Sequence, residues 1–327
     1  RCISRAKSAA LVCVASISLF TGGCIGGKGA TPVTAYELKN YNQDLYQGKL
    51  YAEELCVAQN DVALEGYTED TELHSAALFD LTGERVLYSY KAHERLYPAS
   101  TTKIMTALLA IENANLDDQV TISGNADASS FPADAQVCGL AKGEVWTLRD
   151  LLGALLLYSG NDAATAIAEY VGGSEEAFVN MMNRRAQELM ANGTHFMNPH
   201  GLHDDNHYTT AYDLYLIFNE CIKHEDFVNI IQSEAYTAYY TDVDGNSQEA
   251  LFTPTNLYAQ GEVDVPENVT IVGGKTGTTD EAGYCLILME KDSSDNPYIS
   301  IVMGASEKPV LYEDMTSLIE AIPSGQQ

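Results

Sequence analysis

Apolar residues at helical spacing are the strongest signal in the chain. Across residues 101–114, Ile104, Met105, Leu108, Leu109 and Ile111 leave little polar face, which predicts a helix covered on most sides. A second helical pattern spans 148–158, stops at Ser159-Gly160-Asn161 and restarts over 162–171, with the glycine marking the break. Ser174, Glu175 and Glu176 supply a cap and an acidic first turn for a third helix over 174–190. Strand patterns lie on both sides of this helical block. Residues 74–80 and 84–90 read as two strands joined by the Leu81-Thr82-Gly83 turn. Residues 233–304 return to strands, with turns at Asp244-Gly245 and over 292–297, and apolar runs over 285–289 and 298–303. A last helix covers 307–322. Strands, then helices, then strands and a terminal helix predict an α+β fold, one antiparallel sheet flanked by helices.

The N-terminus follows a different pattern. Arg1, Arg5 and Lys7 precede an apolar run over 9–20 and then Thr21-Gly22-Gly23-Cys24, the arrangement of an export signal. The run is shorter than the roughly 20 residues of a spanning helix. Residues 1–23 are therefore expected to be a signal peptide, with Cys24 a lipid-anchor site at its end. Residues 24–71 begin with Gly26, Gly27 and Gly29 and turn acidic and tyrosine-rich without clear period, so they read as a spacer. The catalytic domain is expected over 72–323. Only Pro-Ser-Gly-Gln-Gln follows Ile322, so no C-terminal second domain is expected.

Charge narrows the partners. Against 18 Lys and Arg stand 46 Asp and Glu, a formal charge of −28 spread along 327 residues. Such a field repels nucleic acid and anionic lipid head groups, so no nucleic-acid partner is expected. Hydrophobic content of 46% excludes a disordered class. Cys56, Cys138, Cys221 and Cys285 are widely spaced with no CxxC pair, which predicts structural thiols and argues against a zinc cluster or a disulfide scaffold; no cofactor or metal is expected.

The covered helix opens on Pro98-Ala99-Ser100-Thr101-Thr102-Lys103, which puts a serine and a lysine one turn apart on one face. A lysine in apolar surroundings at a helix N-terminus, with another cation near, tends to the neutral amine and can take the Ser100 proton. Ser100 then becomes a nucleophile. A capping serine beside a surface lysine is the plain alternative, and Ile104-Met105 directly after Lys103 argues against it. Ser159 and Asn161, at the helix break, can pass a proton to a leaving amine and hold a substrate amide. Gly273-Gly274-Lys275-Thr276-Gly277-Thr278 reads as an edge strand that a peptide backbone can approach and pair with. Lys275, Thr276 and Thr278 would hold a C-terminal carboxylate, and the N–H groups of Ser100 and Thr278 would form an oxyanion hole. Two decoys repeat these spacings: Ser4-Arg-Ala-Lys7 in the export signal, and Ser123-Gly124-Asn125 after the strand-like Val120-Thr121-Ile122.

Taken together, Pro-Ala-Ser-Thr-Thr-Lys, Tyr-Ser-Gly-Asn-Asp-Ala-Ala and Gly-Lys-Thr-Gly-Thr-Thr resemble the serine-type D-alanyl-D-alanine carboxypeptidases, the low-molecular-mass penicillin-binding proteins. Phe196-Met-Asn-Pro-His-Gly-Leu202 and Thr209-Thr-Ala-Tyr-Asp-Leu214 extend the resemblance. It implies a DD-peptidase/β-lactamase-like fold with a helical subdomain and the active site between sheet and helices. It also implies removal of the terminal D-alanine from peptidoglycan stem peptides through an acyl-enzyme on Ser100, inhibition by β-lactams, and work at the outer face of a bacterial membrane. Many relatives carry a second, strand-rich domain and a C-terminal anchor, and some have a larger residue where this chain has Thr278.

Three rivals remain. A serine β-lactamase needs a hydrolytic glutamate, and the nearest imitation, Glu176-Ala-Phe-Val-Asn180, lies within a good helical pattern. A metallo-peptidase could use His200, His203 and His207 with Asp204 and Asp205, but their spacing in a Pro-Gly-Asp-Asn loop favours turn and packing roles. A non-catalytic envelope protein that binds β-lactams or peptidoglycan would not need Ser100, Lys103 and Ser159 intact.

Overall fold

The computed structural model describes residues 54–64 and 75–323. The expected signal peptide, Cys24 and most of the spacer lie outside the described residues. Strands β1 (Ser75–Asp80) and β2 (Arg85–Tyr90) form a hairpin, and a 3-10 turn, Ala99–Thr102, leads into α1 (Lys103–Asn113). There follow β3 (Gln119–Thr121), β4 (Val145–Thr147), α2 (Leu148–Gly153), α3 (Asn161–Gly172), α4 (Glu175–Glu188), α5 (Ala211–Cys221) and α6 (Glu225–Ile231). Strands β5 (Tyr236–Thr241) and β6 (Ser247–Phe252), the short α7 (Leu257–Gln260), strands β7 (Val269–Thr279), β8 (Gly283–Asp292) and β9 (Pro297–Ala305), and α8 (Lys308–Glu320) complete the order.

The main sheet is antiparallel and runs β2-β1-β9-β8-β7, so the N-terminal hairpin docks beside the C-terminal strands and β7 is an edge. On one face, Leu311, Met315, Leu318 and Ile319 of α8 pack over Leu286, Leu288 and Val302. On the other, α1 is buried from Lys103 through Ala110, as its missing polar face predicts. Glu290 of β8 is also fully buried; one of its oxygens accepts from Ser300 Oγ and the other has no partner among the described residues. No described helix is long and apolar enough to cross a membrane.

Three expectations change. The predicted single sheet is accompanied by a second, four-stranded one in the order β3-β4-β5-β6. Two of its strands are three residues long, too short to show alternation, and Trp146 stacks on Tyr240 with centroids 4.2 Å apart to hold them. Second, glycine does not make the helix break. A wide turn over 154–158 ends on Ser159 in the left-handed region at φ 69°, whereas Gly160 has an ordinary φ of −62°. Gly160 is needed for space, because a Cβ there would lie 2.2 Å from Cys138 Sγ. Third, residues 54–64 were expected in the spacer but pack on the fold. Cys56 is buried, its N–H donates to Tyr215 Oη at 2.9 Å, and Val62 bridges to Ser89. Two buried residues, Cys56 and Ala58, and one bridge make a stretch too short for a sequence period to reveal.

Candidate active site

Lys103 begins α1 and is fully buried, so its ammonium must find partners inside the protein. Its Nζ donates to Ser100 Oγ at 2.9 Å, Asn161 Oδ1 at 2.7 Å and the His200 carbonyl at 2.7 Å. Three acceptors match the three donors of an ammonium. Burial nonetheless holds the Lys103 pKa well below the ordinary lysine value, and the charge of Lys275 pushes it the same way. Ser100, partly exposed in the 3-10 turn, follows Ala99 in the left-handed region at φ 47°. Left-handed Ala99 and Ser159 therefore flank the site, where such conformations tend to concentrate.

The opposite wall is β7. Lys275 is 1% exposed, and its Nζ donates to Ser159 Oγ at 2.9 Å and to the Thr276 carbonyl at 2.8 Å. Burial lowers its pKa to about 7. The hydroxyls of Thr276 and Thr255 are 2.6 Å apart. At Gly277 the strand comes so close to the serine turn that a Cβ would sit 2.9 Å from the Pro98 carbonyl and 3.0 Å from Ser100 N. Thr278, the next residue, is exposed. Two serine–lysine contacts thus face each other, linked through Ser159-Gly160-Asn161.

The family model described as D-alanyl-D-alanine carboxypeptidase matches residues 63–307. The chain belongs to that family. Curated relatives include D-alanyl-D-alanine carboxypeptidase DacF of Bacillus subtilis, 34% identical over 254 residues, covering 76% of this chain and 61% of the relative. DacC of Escherichia coli is 31% identical, covering 74% and 59%. The chain spans about three-fifths of the length of these relatives. Among solved structures, the Streptomyces K15 DD-transpeptidase superposes with a TM-score of 0.71 at 28% identity, covering 78% of this chain and 98% of that one. Penicillin binding protein 5 from Haemophilus influenzae gives 0.68 at 27%, covering 78% and 72%.

In this member of the D-alanyl-D-alanine carboxypeptidase family, the structure gathers Ser100, Lys103, Ser159, Asn161, Lys275, Thr276 and Gly277, with Thr278 directly after them on β7. It separates the imitations. Ser123 and Asn125 both bond Glu169 of α3. Glu176 is exposed in the first turn of α4. The histidines diverge: His207 Nε2 bonds Thr102 Oγ1 at 2.7 Å, His200 Nδ1 accepts from Leu202 N at 3.2 Å, and His203 points at Asp205 and Glu281. Burial pulls the pKa of His200 to about 3 and that of His207 to about 4. Among the described residues, ligand-type atoms converge instead at Glu112, Glu220 and His224, where Arg185 donates to both glutamates and meets their charge. Sequence reasoning missed the His200 carbonyl, because a backbone acceptor leaves no residue-type signal. It also missed Thr255 and Asp162.

Proposed function

We propose that the chain is a serine D-alanyl-D-alanine carboxypeptidase that removes the terminal D-alanine from peptidoglycan stem pentapeptides and is acylated by β-lactams. The observation that carries this is the pair of contacts, Ser100 with Lys103 and Ser159 with Lys275, each at 2.9 Å. Two ammonium groups so placed repel, and the pair keeps its proton on Lys275. Neutral Lys103 takes the Ser100 proton as Oγ bonds the carbonyl carbon of the penultimate D-alanine. The N–H groups of Ser100 and Thr278 meet the developing oxyanion. Collapse breaks the peptide bond, and the leaving amine receives the proton relayed through Ser159. Water then hydrolyses the ester and restores Ser100.

Lys275, Thr276 and Thr278 hold the terminal carboxylate in this reading, Asn161 holds the acyl-side amide, and Gly277 lets the peptide pair along β7. The relatives' names support peptidase or acyl-transfer chemistry on D-alanyl-D-alanine ends. Export by residues 1–23 and a lipid anchor at Cys24 would put the domain at the outer face of a bacterial membrane, with no nucleic acid among its partners.

Weighing the products of a stem pentapeptide incubation tests the proposal: a tetrapeptide and free D-alanine are expected. Ser100→Ala should lose both that activity and covalent penicillin labelling, and retained labelling refutes the assignment. Rapid turnover of penicillin would favour the β-lactamase reading, and labelling without D-alanine release the binding-protein reading.

A further inference from the structure

Asp162 follows Asn161 in the first turn of α3 and is completely buried. A carboxylate with no exposure must be met by donors, and here the donors are backbone. Cys138 N–H lies 2.9 Å from both oxygens, Gly139 N–H 2.9 Å and Leu140 N–H 3.0 Å from Oδ2, and Ala163 N–H 2.9 Å from Oδ1. Successive amides turned toward one anion form a nest. Gly139, at φ 88°, supplies the left-handed backbone that aims them. The same loop is fastened again where Asn161 N–H donates to the Gln136 carbonyl at 2.8 Å and Gln136 Nε2 to the Tyr158 carbonyl at 3.3 Å. Its other end carries Phe131, whose ring meets His200 edge-on with centroids 6.0 Å apart. Loop 131–143 thus touches Asn161 and His200, which supply two of the three acceptors of Lys103.

We propose that Asp162 is a positioning residue for proton transfer at Lys103: it holds residues 136–140 against α3 and so fixes the Asn161 oxygen that aims the amine at Ser100. This rests on the serine-peptidase reading above. The charge of Asp162 acts as well. Lys103 is faced by Lys275 from β7, Cys138 from the loop, His200 from the segment after α4, and Asp162 from α3; Lys275 favours the neutral amine and Asp162 the charged one.

Asp162→Asn, compared with wild type in D-alanine release across pH with melting temperatures in parallel, tests the role. A kcat lower by about 10²-fold is expected, as for a displaced reacting group, with KM within about twofold. The acid limb of kcat/KM should move to lower pH, because an anion that favoured the protonated amine is gone. Gly139→Val strains the nest without touching α3 and should lower kcat while leaving the acid limb in place. Wild-type kcat in both variants overturns the role, as does a loss in Asp162→Asn that disappears well below its melting temperature with the acid limb unmoved. If Asp162→Asn does not fold, Gly139→Val decides alone: a lower kcat at wild-type KM supports the role and wild-type kcat overturns it. A wild-type protein that releases no D-alanine refutes the peptidase reading and this role together, whereas a working wild type beside unaffected variants refutes only the role.

Discussion

Among the described residues, Lys103 and Lys275 are the buried lysines, and the same burial serves them in opposite ways. In the proposed mechanism Lys103 must be neutral to accept a proton, and Lys275 must be charged to hold a carboxylate. The free protein should therefore give a bell-shaped profile of penicillin acylation rate against pH. The acid limb reports loss of the proton from Lys103. The alkaline limb, near the Lys275 pKa of about 7, reports loss of its charge. A bound substrate carboxylate favours charged Lys275, so the alkaline limb of kcat should lie at higher pH than that of kcat/KM. A flat profile between pH 6 and 9 would refute the division of tasks. At this scale much was readable in advance. Serine and lysine three apart ahead of an apolar run specify a contact that helix geometry then enforces. The third acceptor of Lys103 was not readable, because any residue at position 200 offers the same carbonyl.

The elements around the site are held by close backbone approach. β7 passes the serine turn with no room for a side chain at Gly277. Gly277→Val should push the strand away from Ser100 and lower the penicillin acylation rate by about 10²-fold or more, while far-UV circular dichroism stays that of the wild type. An unchanged rate would mean that the strand does not form the wall of the reacting site. Long elements such as α1, β8 and β9 were legible because their burial is nearly continuous and shows as long apolar stretches. Strand β3 was visible as the strand-like Val120-Thr121-Ile122, but β4 and the sheet that joins them were not, since β4 pairs with β5 nearly a hundred residues further along the chain. The break before α3 was legible as a break, but its cause was assigned to the wrong residue. Ser159 occupies the left-handed region itself, at roughly 1–2 kcal/mol for a non-glycine residue, and its Oγ bond to Lys275 shows what that conformation secures.

Over the whole molecule, a formal charge of −28 surrounds a site that the proposed function gives to an anionic peptide end. Long-range repulsion slows encounter, and salt screens it over about 8–10 Å at ordinary ionic strength. The second-order acylation rate with an anionic penicillin should therefore rise as salt is added from 10 to 200 mM, and a falling rate would show that local cations dominate the field. Stability has its own acid–base signature. Burial raises the Glu290 pKa from 4.5 to about 8. The folded state then binds more protons than the unfolded one between those values, so this group's contribution to stability falls as pH rises from about 4.5 to 8. Glu290→Gln, which imitates the protonated acid, should raise the melting temperature at pH 8 and change it little at pH 4.5; equal shifts at both would refute the account. The α+β class and sheet-plus-helix layering were visible from the order of patterns, whereas docking of residues 54–64 was not.

Because β7 is the last strand of its sheet, its outward main-chain groups form a ruler with marks about 3.3 Å apart. A ruler of this kind measures amides and their spacing and is indifferent to most of what makes one peptide differ from another. A competitor needs only a short rigid amide and a carboxylate to pass as a guest strand. Fused-ring amides meet that description, so under the proposed function vulnerability to such compounds would come from the same edge that admits the peptide.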